Sequence, residues 1–188
     1  DWAVTEPFSP ENSSGGGYLA GGVGWYRGRF ELPEDCAGKK VWLVFDGVYQ
    51  NAQVWVNSYY LGKWPYGYTT FSHDISHAYR CGAEENVVSV RVEHTHTADS
   101  RWFTGSGIYR KVSVLVKEPV YLEQYGVFFT TPEVSEAAAT IRVESALANE
   151  TGAAVSATVR HTLLDAEGRA VAVLESSCDI AAGERGAV

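Results

Sequence analysis

The sequence predicts an all-β fold: a sandwich or jelly roll over residues 1–118, then a second, incomplete sandwich over 119–188. Three observations carry this. Apolar and polar residues alternate at period two in segment after segment, as Val88, Val90 and Val92 do against Ser89, Arg91 and Glu93, the pattern of a strand with one buried and one wet face. No stretch of the first 118 residues shows a helical stripe, and PEDCAGK at 33–39 offers at most one turn. Beyond the run KEPVYLEQ at 117–124 aromatic residues thin out and Ala and Val take over. The Pro in that run cannot donate to a ladder, which marks a boundary.

Along the first domain, strands are expected at 23–32, 41–46, 51–57, 59–64, 68–75, 86–94 and 107–118. In VWLVFD at 41–46 both faces are apolar, which fits a central strand covered on both sides or a Trp42 packed under a loop. Asn57-Ser58 lies between QVWV and YYLGKW, where a tight hairpin needs residues that tolerate positive φ. Asn57 suits that turn, whereas Ser58 stands where Gly is usual. Val112, Val114 and Val116 repeat the alternation in the last strand. Many short strands at even spacing predict paired or closed edges in one domain of ordinary size.

The second domain alternates again in ATIRVESALA, AVSATVRHTLL and AVAVLES. An immunoglobulin-like sandwich needs about seven strands in roughly 100 residues. Residues 119–188 supply four or five, so this domain reads as truncated. Missing strands leave a ladder edge open, which invites a homo-oligomer through 119–188 or local disorder there.

Composition bounds the partners. The chain has 188 residues, 45% hydrophobic and 20% charged, which fits a globular protein with a real core. A formal net charge of −8 without clustered Lys and Arg argues against nucleic acid and against an anionic membrane surface. Charged residues interrupt every apolar run before it reaches the roughly 20 residues of a spanning helix. The chain begins at Asp1 and contains no Met, so it is expected to be a piece of a longer protein, and a missing signal peptide carries no argument. Cys36, Cys81 and Cys178 form an odd, sparse set without CxxC spacing, so neither a disulfide framework nor a zinc site is expected. Cys36 and Cys81 both fall in loops and can meet in the fold.

Several side chains invite a chemical reading. Trp2, Tyr18, Trp25, Trp64, Tyr66, Tyr68, Trp102 and Phe103 fall near strand ends or in Gly- and Pro-flanked loops, where rings can stack on the C–H patches of sugars or pack on the sandwich. In SRWFTGSGIYR, Arg101 stands beside an aromatic pair in a loop that turns through Gly105 and Gly107 into a strand. Its planar fork can hold vicinal hydroxyls or a carboxylate, or simply pair with Asp99. His94-Thr95-His96 lacks a further ligand cluster and reads as a strand end. His73 and His77 flank Asp74, which reads as a turn residue at a strand exit, and His161 follows Val155, Ala157 and Val159 on one face as a satisfied inner or interface histidine. Glycoside hydrolysis needs two carboxyls about 5–5.5 Å apart for retention, or farther for inversion. The acids here mostly sit in turns (Glu34-Asp35, Glu84-Glu85) or on wet strand faces (Glu93, Glu144), and no pair of that kind is legible. No GxSxG elbow is present, and Gly15–Gly17 precede a strand instead of opening a helix, so no phosphate cradle is implied.

Residues 41–75, VWLVFDGVYQNAQVWVNSYYLGKWPYGYTTFSHDI, and SRWFTGSGIYRKV at 100–112 resemble the N-terminal sugar-binding domain of glycoside hydrolase family 2, the β-galactosidase and β-glucuronidase family. DWAVTEPF at 1–8 and GGVGWYRGRFELP at 21–33 resemble its opening segments; beyond about residue 119 the resemblance rests on pattern and domain order. It implies a jelly-roll, galactose-binding-like domain followed by an immunoglobulin-like one. In that family both catalytic glutamates lie on a β/α barrel that follows these domains, so the resemblance implies no catalytic residue in this chain and makes the absent barrel its first partner. It also implies that the loop around Arg101 and Trp102 lines the subsite for the terminal sugar, with Asp99 beside them. Some family members place an acidic residue there that contacts sugar and a sodium ion. Arg101 occupies the nearest position here, so no metal and no cofactor are carried over. The expected activity of the parent protein is hydrolysis of terminal β-galactosides, in the cytoplasm, with β-glucuronidase and β-mannosidase as alternatives. A free-standing carbohydrate-binding module or adhesin is the competing reading, since a fold of this type also serves binding alone.

Overall fold

The computed structural model describes residues 7–12, 18, 21–95 and 104–188. Asp99, Arg101 and Trp102 lie outside the described residues, as do Trp2, Gly15–Gly17, His96 and Phe103. The chain divides into two compact units, Asp1–Val116 and Lys117–Val188. Among the described residues the regular structure is almost wholly strand.

The first unit contains β1 (Gly22–Glu31), β2 (Lys40–Phe45), β3 (Val48–Tyr49), β4 (Ala52–Val56), β5 (Tyr59–Trp64), β6 (Phe71–Asp74), β7 (Glu85–His94), β8 (Gly107–Ile108) and β9 (Val112–Lys117). They form sheets of order β1-β7-β4-β5 and β6-β2-β9 and the short pair β3-β8. The alternation read in the sequence decides what each strand buries. In β7, Val90 and Val92 are inside, and in β4 Ala52, Val54 and Val56 are fully enclosed. They meet Val41, Leu43 and Phe45 of β2 in one core. Phe71 lies against Phe45 at 4.9 Å and against Trp64 at 5.4 Å, both stacked, so Trp64 is a core-packing residue and not a ligand platform. Val44 is buried as well as its neighbours, which fits the apolar run on both faces of the central β2.

The hairpin between β4 and β5 turns at Asn57 (φ 48°) and Ser58 (φ 72°), both left-handed. Asn57 does more than tolerate that conformation. Its Nδ2 donates to the carbonyl of Ala78 and to Oδ1 of the fully buried Asn86, and its Oδ1 accepts from the amide of Val87, each at 2.8–2.9 Å. Asn86 also exchanges two bonds with the backbone of Arg80. These amides satisfy strand-end groups that would otherwise be buried without partners.

Asp74 closes β6 as a turn residue: Oδ1 accepts from the Ser76 amide at 2.8 Å and Oδ2 lies 2.8 Å from Lys40 Nζ. Burial pushes its carboxyl up, but the Lys40 and Ser76 bonds outweigh it and hold the pKa below the ordinary value. PEDCAGK forms a single 3-10 turn, Glu34–Cys36. Cys36 and Cys81 both belong to the core region as free thiols. The strand expected at 107–118 is broken between Ile108 and Val112, because Tyr109 turns away and its hydroxyl donates to the Gly67 carbonyl at 2.7 Å.

The second unit contains β10 (Val120–Val134), β11 (Ala139–Asn149), β12 (Val155–Leu164), β13 (Ala170–Ile180) and β14 (Arg185–Ala187), in sheets β10-β11-β14 and β12-β13. Its core is small, formed by Leu147, Val159 and Ile180. Pro132 falls at a register shift in β10 between Thr130 and Glu133, where no ladder donor is required. His161 corrects one expectation. Its Nε2 lies 2.8 Å from Ser145 Oγ, but its Nδ1 is buried without a hydrogen-bond partner, so this inner histidine is only half satisfied.

Candidate functional site: the root of the 95–106 connection

The predicted contacts Asp99, Arg101 and Trp102 fall in the connection from β7 to β8, and the described residues define both of its ends. His94 closes β7 and Ser106 precedes β8; His94 Nδ1 lies 2.7 Å from Ser106 Oγ. Ser106 is 1% exposed, so this bond is sealed from water. Gly105 (φ 76°) and Gly107 (φ 89°) flank it with the left-handed turns that their residue type permits. β8 pairs with β3 through Val48↔Ile108 and Tyr49↔Gly107, which attaches the far end of the connection to the domain.

An aromatic cluster surrounds this root. The Tyr49 ring stands edge-on to His94 at 4.9 Å and tilted to Tyr68 at 5.3 Å, and Tyr66 meets Tyr68 edge-on at 5.6 Å. Gly67 fits between them because it lacks a side chain: a Cβ there would sit 2.1 Å from Tyr49 Cδ2. Tyr49 is buried, while Tyr66 and Tyr68 are exposed. Two exposed rings thus stand at the root, braced by the buried third. On the inner side, the Ile108 amide donates to the Tyr26 hydroxyl at 3.3 Å. Burial raises the pKa of that hydroxyl, partly offset by the Ile108 bond, so it stays neutral at ordinary pH.

Several carboxyls among the described residues are displaced from their ordinary pKa. A general acid needs a carboxyl held above its ordinary pKa. The carboxyls of Asp74, Glu93 and Asp165 all lie below theirs. For Glu93 the main cause is the hydrogen bond from Arg91, 2.7 Å away. Among the described residues no group of three His, Cys, Asp or Glu side chains is placed to hold a metal ion, and no helix is long and apolar enough to cross a membrane.

Tyr66 and Tyr68 are two of the eight aromatics that the sequence places near strand ends or in loops, to stack on sugars or to pack on the sandwich; the structure leaves both exposed. Sequence reasoning missed Tyr49, His94 and Ser106 as the group that anchors the loop. His94 was read only as a strand end and Ser106 as part of a glycine turn. The local signal, a polar residue at each end of one connection, acquires meaning only when the strands pair.

The family model for the sugar binding domain of glycosyl hydrolases family 2 matches residues 13–119, which include this root and the four-stranded sheet. The chain belongs to glycosyl hydrolase family 2. A β-galactosidase of Bacteroides ovatus is 43% identical over 186 residues, covering 98% of this chain and 22% of that protein. A β-glucuronidase of Formosa agariphila is 30% identical over 184 residues, 87% of this chain and 19% of its own length. The crystal structure of a family 2 member from Bacteroides cellulosilyticus superposes with a TM-score of 0.90 at 35% identity, over the whole of this chain and 26% of that one. This family 2 chain thus spans about a fifth of the length of the curated relatives it matches.

Proposed function

We propose that the chain is the non-catalytic sugar-binding region of a retaining glycoside hydrolase acting on terminal β-galactosides. It supports an active site whose two carboxyls are carried by a barrel elsewhere in the longer protein. The observation that carries this reading is the 43% identity to a β-galactosidase along 98% of the chain, against 33% and 30% to two Formosa agariphila proteins, a putative β-glucuronidase and a β-glucuronidase. The 95–106 connection supplies one wall of the sugar subsite: Trp102 stacks on a ring face and Arg101 donates to hydroxyls, with Asp99 accepting beside them. A lone wall encloses little of a ligand, so the chain by itself turns over no substrate.

The test has two parts. The purified chain is incubated with chromogenic β-galactoside, β-glucuronide and β-mannoside, with no sustained release expected from any of them. The protein encoded with its downstream sequence is then assayed on the same panel. Galactoside is expected to be the best substrate, and Arg101→Ala and Trp102→Ala are expected to raise KM by tenfold or more. Preference for another glycoside overturns the substrate assignment, and sustained hydrolysis by the chain alone overturns the non-catalytic role. A downstream sequence lacking a barrel supports a free-standing carbohydrate-binding module instead.

A further inference from the structure

The outward face of the β1-β7-β4-β5 sheet carries a strip of rings that the loop reading leaves unused. In β1, Tyr26 and Phe30 pack on the core, which sends Trp25 to solvent. Trp25 stacks on Trp55 of β4 with ring centroids 5.5 Å apart and planes 29° apart. Trp55 in turn tilts against Tyr60 of β5 at 5.1 Å. β7 runs between β1 and β4, and there the small Ser89 opposes Trp55 and leaves room for the two tryptophans to meet. Trp25 is 62% exposed and Tyr60 52%. Single exposed rings are ordinary, but three in contact across a wet sheet face are not.

The polar groups beside the rings are fixed. Arg91 opposes both Trp25 and Gln53 in register. Its Nη1 donates to Glu93 Oε2 at 2.7 Å and to Gln53 Oε1 at 3.0 Å. A guanidinium with further N–H groups, a carboxylate and an amide therefore stand in one preset array next to an aromatic strip.

We propose that this strip is a binding site for a neutral oligosaccharide, separate from the 95–106 connection. Aromatic faces take the C–H faces of sugar rings, and the array offers both donors and acceptors, matching hydroxyls that do both. An anionic glycan would want donors alone. Here it meets the Glu93 carboxylate at the strip and a net charge of −8 overall. The strip lies wholly within residues 13–119, the part matched by the sugar binding domain. The inference rests on that family membership and not on the proposed role of Arg101 and Trp102.

The experiment titrates the full 188-residue chain with a neutral β-galacto-oligosaccharide and, separately, with polygalacturonate, followed by tryptophan fluorescence and calorimetry. Saturable binding of the neutral glycan is expected, weakened at least tenfold by Trp25→Ala and by Tyr60→Ala. It should be retained by Trp25→Phe, which keeps a ring, and by Trp102→Ala. Circular dichroism checks that each variant keeps its sheet content. Binding that survives Trp25→Ala and Tyr60→Ala overturns the proposal, as does binding lost only in Trp102→Ala, which assigns the sugar to the connection. Binding of polygalacturonate alone, or of no glycan at millimolar concentration, overturns it too. In the last case a changed sedimentation coefficient for Trp25→Ala assigns the strip to a protein interface.

Discussion

His94 Nδ1 lies 2.7 Å from Ser106 Oγ, tying the last residue of β7 to the residue that precedes β8. The two ends of the connection that bears Asp99, Arg101 and Trp102 are thus joined by side chains before they rejoin the sheets. A loop that contributes to a binding wall must be positioned by a rigid base, because ordering it on binding would cost affinity.

Ser106→Ala removes that tie. The loss of one sealed hydrogen bond is expected to destabilise the first unit by about 1 kcal/mol. Limited proteolysis within 95–105 should accelerate several-fold, and the urea midpoint should fall by a measurable amount. Unchanged cleavage in this segment would show that the His94–Ser106 contact does not control it.

Gly67→Ala tests the aromatic base of the same site. The added Cβ meets the Tyr49 ring at 2.1 Å, too close for any relaxed contact, and Tyr49 is boxed in by His94 and Tyr68. Overpacking of this kind costs on the order of 2 kcal/mol. Thermal unfolding should show a clear fall in Tm, and a variant as stable as the parent would mean the Tyr49 ring can move aside freely.

Most of the fold was legible because strand alternation is a local signal. Val88, Val90 and Val92 declare the inner face of β7 without reference to any other strand, and Asn57-Ser58 declares the hairpin. The break at Tyr109–Lys111 was not legible, because the valine alternation resumes on its far side and only the Tyr109 bond to Gly67 explains the turn. The half-satisfied His161 was missed for a similar reason, since its partner Ser145 lies on the other sheet of its unit. Tyr66 and Tyr68 stand among the loop aromatics legible in the sequence, whereas Arg101, Trp102 and Asp99 take their site role from the resemblance alone and lie outside the described residues. In the strip, Trp55 and Tyr60 pair across one hairpin, but Trp25 reaches them from β1 across β7, so no single window of residues displays all three rings.

Ser58→Gly should stabilise the chain. Ser58 holds φ 72°, a conformation that costs a residue with a Cβ roughly 1 kcal/mol and costs glycine nothing. Part of the gain is returned through the greater freedom of glycine in the unfolded state, leaving a net increase of about 0.5 kcal/mol. Urea unfolding of the two proteins side by side measures it, and a loss of stability would contradict the strain assigned to the turn.

His73 gives the first unit a pH dependence of known sign. Burial lowers its pKa below 6.5, and its buried Nε2 has no hydrogen-bond partner. Well above pH 6.5 the imidazole is neutral both folded and unfolded and contributes nothing to the slope. Below pH 6.5 the unfolded chain takes up the proton first, so stability falls with pH until the folded pKa is reached and then levels. In His73→Phe this segment of the profile should flatten relative to the parent, while contributions from the other histidines remain in both. Denaturation midpoints at pH 7.5 and at closely spaced values below 6.5 would decide it, and identical slopes would exclude His73.

The second unit is expected to self-associate. Leu174 opposes His161 and so shares its sheet face with Val159 and the small core, yet it is 64% exposed, and Leu163 on the same face is partly open. Phe129, opposite Val143 in the other sheet, lies on the face of the buried Ser145 and is also exposed. Core-type faces thus run on beyond the residues that cover one another. Covering a side chain such as Leu174 is favourable by about 1.5–3 kcal/mol, enough for several together to offset part of the cost of association. Sedimentation velocity over a hundredfold concentration range should show a weight-average coefficient that rises with concentration, and Leu174→Lys should suppress the rise without altering the strand signal. A single monomeric species for both proteins across that range would show that these faces do not drive association.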